Sequence, residues 1–236
     1  MSIRICLLCS LCFIALLVPF NVKADGQVVD RIYHPYVLAN EHRVEWRFMS
    51  RQTDDENFLA QRIGFGHSIN DRWILELYLI GERDTAGDFG LEAYELEGRW
   101  MMTEQGRYWA DWGMVFELEK RRSQDQWEAA SGLIMEKEFG RNSLTLNWFM
   151  IYEWGNDMQD ELESEFRLQY RYRWMPQIQP SIELYRGEDY IGIGPALMGL
   201  QRFDGQKQLK WEIGFITELS NIGKDHTLRL ALEYEF

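Results

Sequence analysis

Charged side chains recur at every second position through much of this 236-residue chain. Between Glu161 and Trp174, the residues Glu163, Glu165, Arg167, Arg171 and Arg173 share one parity. Leu162, Phe166, Leu168, Tyr170, Tyr172 and Trp174 share the other. Two carboxylates followed by three guanidiniums on one face can hold or pass ions, bind a charged solute, or pair with opposite charges nearby. Glu45, Glu212 and Glu233 sit on the charged parity of their own segments and are the candidate partners if the arginines are wall pairs. Left unpaired, the same arginines would form a constriction in a passage. Acids outnumber bases on this parity, as they do in the whole chain, with 38 Asp and Glu against 25 Lys and Arg and a net charge of −13. That balance excludes nucleic acid as a partner, because phosphate binding rests on Lys and Arg.

Catalytic chemistry finds little support. Of the four histidines, His67 lies directly before a serine, Ser68. Neighbours on a strand point to opposite faces, so the two cannot act together as base and nucleophile. No clustered His or HExxH set offers a metal site, and the acidic stretch Asp54-Asp55-Glu56 lacks the glycine and spacing of a calcium loop. Cys6, Cys9 and Cys12 all lie in the first apolar stretch, which leaves no thiol chemistry beyond it. The residues predict no enzyme, no cofactor and no metal.

A period of two is a strand period. It recurs at Leu228, Leu230, Leu232, Tyr234 and Phe236, and again through 142–154. Twelve such runs follow one another between 42 and 236, of which the first, over 42–49, and the ninth, over 177–186 and interrupted by Pro180, are weakly patterned. Most are longer than the usual strand of a soluble sheet and suit the ~9–11 residues needed to cross a bilayer. Aromatic residues gather near the run ends, at Trp73, Trp100, Trp127, Trp154 and Trp174, as interfacial girdles do. Tight turns such as Asn70-Asp71 and Gly140-Arg141 alternate with longer acidic connections such as 50–57 and 81–90. This places both termini on the short-turn, periplasmic side. In lipid every backbone N–H and C=O must be paired, so the sheet has to close on itself. The fold class is therefore all-β: a single antiparallel, up-and-down transmembrane β-barrel of about 12 strands.

Three parts follow. Residues 1–24 read as a secretory signal peptide, with Arg4 before an apolar run and a cut after Ala24. Residues 25–40 show no clear period and read as a periplasmic N-terminal segment, a tail in preference to a partial plug. Residues 41–236 form the barrel.

The ending Tyr234-Glu235-Phe236, with Leu230 and Leu232 on the same face, resembles that of small, porin-like Gram-negative outer-membrane β-barrels. Ile193-Gly194-Pro195-Ala196-Leu197 and Asp225-His226-Thr227-Leu228-Arg229-Leu230 are similar to a group of proteobacterial barrels. The resemblance implies location in the outer membrane, surrounded by lipid and lipopolysaccharide. It also implies that the barrel assembly machinery reads Tyr234 and Phe236. The expected function is a narrow, mildly cation-preferring passive pore for small cationic or neutral solutes. The alternative is a non-conducting structural or interaction barrel acting through its surface loops. An outer-membrane lipid-modifying enzyme comes third.

Overall fold

A computed structural model describes residues 28–53, 57–83, 87–156, 158–219 and 225–236. The expected cleavage site after Ala24 and the stretch Asp54-Asp55-Glu56 lie outside them. Twelve strands form: β1 (His42–Gln52), β2 (Asn57–Ser68), β3 (Trp73–Arg83), β4 (Phe89–Met101), β5 (Asp111–Arg121), β6 (Gln126–Phe139), β7 (Asn142–Gly155), β8 (Glu161–Tyr172), β9 (Gln179–Arg186), β10 (Ile191–Arg202), β11 (Gln208–Glu218) and β12 (His226–Glu235). Each pairs antiparallel with its sequence neighbours, and β1 pairs with β12 to close the barrel. At the seam His42 N–H donates to the Phe236 carbonyl at 3.1 Å and Phe236 N–H to the His42 carbonyl at 2.9 Å. No sheet edge is left open, which is the condition for a sheet in lipid.

Alternation decides which face is which. On β3, Leu75, Leu77 and Leu79 point outward at 40–65% exposure, while the intervening Glu76 and Tyr78 are at 2% or less. Ile63, Phe65, Leu96, Trp148, Ile182 and Phe215 continue the apolar exterior. An uncovered belt of this extent would be an aggregation surface in water, and acyl chains are its natural solvent. Stacked pairs mark the two rims. Trp73 and Trp100 stack at 5.6 Å near the end that carries the termini, and Trp127 and Trp154 stack at 6.3 Å near the opposite, distal end. Among the described residues no helix is long and apolar enough to cross a membrane.

The strands run further than their apolar period suggests. β1 continues to Gln52 and β3 to Arg83, so acidic stretches read as loops are partly ladder. Conversely, the connection between β4 and β5 at the terminal end spans 102–110, longer than the distal one at 219–225. The expected contrast of short and long connections is therefore absent. Polarity in the sequence marks where lipid ends, whereas hydrogen-bonded pairing continues into water.

Residues 28–37 do not hang below the barrel but run extended through its lumen, with Val28, Val29, Arg31, Ile32, Tyr33 and Val37 buried. Val28 and Val29 pack with Tyr185, Tyr190 and Ile216 at the distal end. Tyr33 packs with Val115, Ile134 and Phe149 at mid-height. Ten extended residues span about 30 Å, enough to pass from one mouth to the other. A twelve-strand wall encloses more space than its own side chains fill, and this segment occupies it.

Candidate functional site

The lumen is the candidate site, and its occupant is held by polar and charged contacts as well as by the apolar packing at its distal end and mid-height. Asp30 accepts from the Arg47 guanidinium at 3.1 Å. Arg31 reaches across to β1 and β12, donating to Glu45 at 2.9 Å and to Glu233 at 2.8 Å. The Tyr33 hydroxyl lies 2.8 Å from both Glu97 and Glu117, and its backbone N–H donates to Asn147 at 2.7 Å. His34 contacts Glu136 at 2.5 Å, and Tyr36 donates to Asp111 at 3.1 Å. Apolar and polar contacts point in all directions from one extended chain, because wall surrounds it on every side.

Two glycines give it room. A Cβ at Gly113 would stand 3.0 Å from the Pro35 Cβ, and one at Gly187 would stand 2.8 Å from a Val28 methyl. Both positions bring wall backbone against the segment, one near each end.

The charged side chains expected to face inward do so, but their pairing differs from the expectation. Arg167 pairs with Glu165 of its own strand at 2.7 Å, donates to the Arg31 carbonyl at 2.9 Å, and lies over the Phe149 ring. Arg171 reaches Glu136 at 3.1 Å and Arg173 reaches Glu138 at 2.6 Å, both on β6. None of the three meets Glu45, Glu212 or Glu233. Those carboxylates lie across the lumen, and the threaded segment stands between. Glu45 binds Arg31 and Arg47, Glu212 binds Arg229 at 2.9 Å, and Glu233 binds Arg31, Arg43 and Lys210. Glu163 is 4% exposed and has no hydrogen bond or ion pair among the described residues. Tyr234 and Phe236 face outward and stack at 5.7 Å.

Two chambers remain beside the segment. The distal one is lined by nine carboxylates, among them Glu119, Glu128, Glu153 and Glu163, against three arginines. The terminal one is lined by Arg31, Arg43, Arg99, Arg171 and Lys210 against Glu45, Glu212 and Glu233. Sequence parity shows which residues face the lumen, but not this axial separation, which follows from strand register.

Other candidate chemistry dissolves in the geometry. Ser68 is buried inside, whereas His67 stacks on His42 at 4.3 Å, so the pair lies on opposite faces. The carboxylates of Glu41, Glu233 and Glu235 come within 4.8 Å of one another, close enough for one metal ion. Arg43 and Lys210 already sit among them as counter-charges.

No protein-family profile and no curated protein matches the sequence. Solved structures do match. The outer membrane channel COG4313 of Pseudomonas putida F1 superposes with a TM-score of 0.57 at 12% identity, covering 88% of this chain and 100% of that one. The KdgM porin in complex with disordered oligogalacturonate gives 0.55 at 12% identity, covering 82% and 99%. The outer membrane protein Omp33 of Acinetobacter baumannii gives 0.51 at 7% identity, covering 84% and 99%. The closed twelve-strand sheet, its apolar exterior, its aromatic rims and this likeness agree: the chain has the fold of outer-membrane β-barrels, porins and channels among them.

Proposed function

We propose that this protein is an outer-membrane channel for small solutes, held closed in the described state by its own residues 28–37, and cation-preferring when open. The observation behind it is the segment itself, threaded from mouth to mouth, packed in two separate apolar patches and otherwise fixed by ion pairs. Such contacts exchange for water at modest net cost, which suits a plug that leaves. With the end bearing the termini taken as periplasmic, as the resemblance implies, the carboxylate-rich chamber faces outward. It concentrates cations at the entrance and repels anions. For this reason the oligogalacturonate seen with one neighbour, a polyanion, is not carried over to this chain. Tyr234 and Phe236, outward on the last strand, are available to the assembly machinery.

A second reading has the same observation behind it: the segment is permanent filling, and the barrel works through its surface. Planar-bilayer recording separates the two. The mature protein is expected to be silent or to open rarely, and deletion of residues 28–37 to give steady unitary steps with a reversal potential favouring K⁺ over Cl⁻. Silence after the deletion, in a barrel that still shows heat-modifiable migration, would contradict the channel.

A further inference from the structure

The distal chamber contains an arrangement that plugging does not explain. Glu95 pairs in register with Glu119, Glu119 with Glu128, and Glu128 with Glu153, so four carboxylates stand directly opposite one another across β4 to β7. Like charges in directly opposed positions destabilise a sheet. Arg62 relieves one end of the row by pairing with Glu95 at 2.7 Å. Glu119 and Glu128 have no hydrogen bond or ion pair among the described residues. Independently, Glu163 on the adjoining strand lines the same chamber at 4% exposure and also lacks a donor or cation. A carboxylate that far from water needs a counter-charge.

The spacing selects among cations. Adjacent strands lie about 4.8 Å apart, so the row extends over about 14 Å. A calcium or magnesium ion gathers its oxygens within about 2.6 Å of one point and would neutralise one neighbouring pair at most. Among the described residues, the one carboxylate trio tight enough for a single ion is Glu41, Glu233 and Glu235, at the other end of the barrel. A linear aliphatic polyamine sets its nitrogens about 5 Å apart across a three-carbon spacer and about 6 Å apart across a four-carbon one in a staggered chain, close to the strand interval. Its methylenes need no hydrogen-bond partners, and its ammonium groups donate to carboxylates as charge-assisted bonds.

We propose that the distal chamber is a binding site for linear polyamines, with Glu119, Glu128 and Glu153 spacing successive ammonium groups and Glu163 closing the site from β8. The proposal deepens the cation preference proposed above but does not require conduction, since the site is present while the lumen is plugged.

Calorimetric titration of the mature protein in detergent with spermidine tests it. Saturable binding is expected, weakened about tenfold or more by the double substitution Glu119→Gln/Glu128→Gln and severalfold by Glu163→Gln. Glu104→Gln, an equal change of charge in an exposed connection at the other end, is expected to leave the affinity within about twofold. Heat-modifiable migration reports that each variant is folded. Absence of saturable binding would overturn the proposal, as would equal weakening by Glu104→Gln, which would mean nonspecific counter-ion attraction. Displacement of spermidine by equimolar Mg²⁺ would also overturn it, in favour of a divalent-cation site. Spermidine binding by a barrel that stays silent after deletion of 28–37 would remove the channel and keep the site; the reverse pair of results would remove the site and keep the channel.

Discussion

The two chambers of the lumen share one wall and one occupant, yet they settle their charge differently. In the terminal chamber almost every charge has a partner: Arg43 and Lys210 share Glu233, Arg31 bridges Glu45 and Glu233, and Arg171 holds Glu136. In the distal chamber Glu119, Glu128 and Glu163 face one another's neighbours with too few cations to go round. The first is a solved network, in which acids and bases occupy adjacent strands and bury each other. The second is a surplus of negative charge that the wall itself does not neutralise, and a cation can enter it. The threaded segment respects this division. Its Arg31 belongs to the terminal network, whereas Asp30 extends the distal surplus and is tolerated through Arg47 and Arg62.

The comparison breaks most visibly under charge reversal. In a barrel lacking 28–37, Glu128→Lys with Glu153→Lys is expected to lower the K⁺/Cl⁻ permeability ratio by about tenfold or more, read from reversal potentials. Lys210→Gln in the terminal chamber, where charges are already matched, is expected to change it by less than about twofold. Equal effects from both ends would erase the distinction.

Removing the link between the segment and the terminal network comes next. Arg31→Met leaves Glu45 and Glu233 without their shared guanidinium and is expected to destabilise the plugged state by about 3 kcal/mol. The measurement is the frequency of openings in single-channel records, which should rise steeply. Tyr33→Phe deletes the hydroxyl between Glu97 and Glu117 and should weaken the plugged state by about 1–2 kcal/mol, seen as a smaller rise in the same records. At the rim, the Arg173–Glu138 pair is about one-third exposed on both sides. Arg173→Ser should cost less than about 1 kcal/mol and leave both conductance and thermal stability nearly unchanged.

Much of the barrel is legible in residues such as Glu161 to Trp174, because a wall between lipid and an ionic lumen writes its two environments onto alternate positions. Strand number and the inward face follow from that alternation alone. The threaded segment leaves no such record. Val28, Val29, Arg31, Ile32 and Tyr33 are all buried in near succession, since a chain enclosed on every side has no outward face to mark a period. What signal there was lay in composition: Val-Val-Asp-Arg-Ile-Tyr is too apolar for a solvated tail and carries both signs of charge. Pairing within the lumen was hidden for a different reason. Arg171 and Arg173 reach over β7 to β6, a distance set by side-chain length and strand tilt, not by adjacency in the sheet.

A disulfide can report whether residues 28–37 fill the lumen. A Cβ at Gly187 would lie 3.8 Å from the Cβ of Val28, the mean separation in a disulfide. Cys6, Cys9 and Cys12, the chain's own cysteines, all precede the described residues. In the protein lacking residues 1–24, with Val28→Cys and Gly187→Cys, near-complete crosslinking is expected under mild oxidation, with the rare openings abolished when oxidised and returning on reduction. Two free thiols, both open to a membrane-impermeant reagent with the barrel folded, would place the segment outside the lumen.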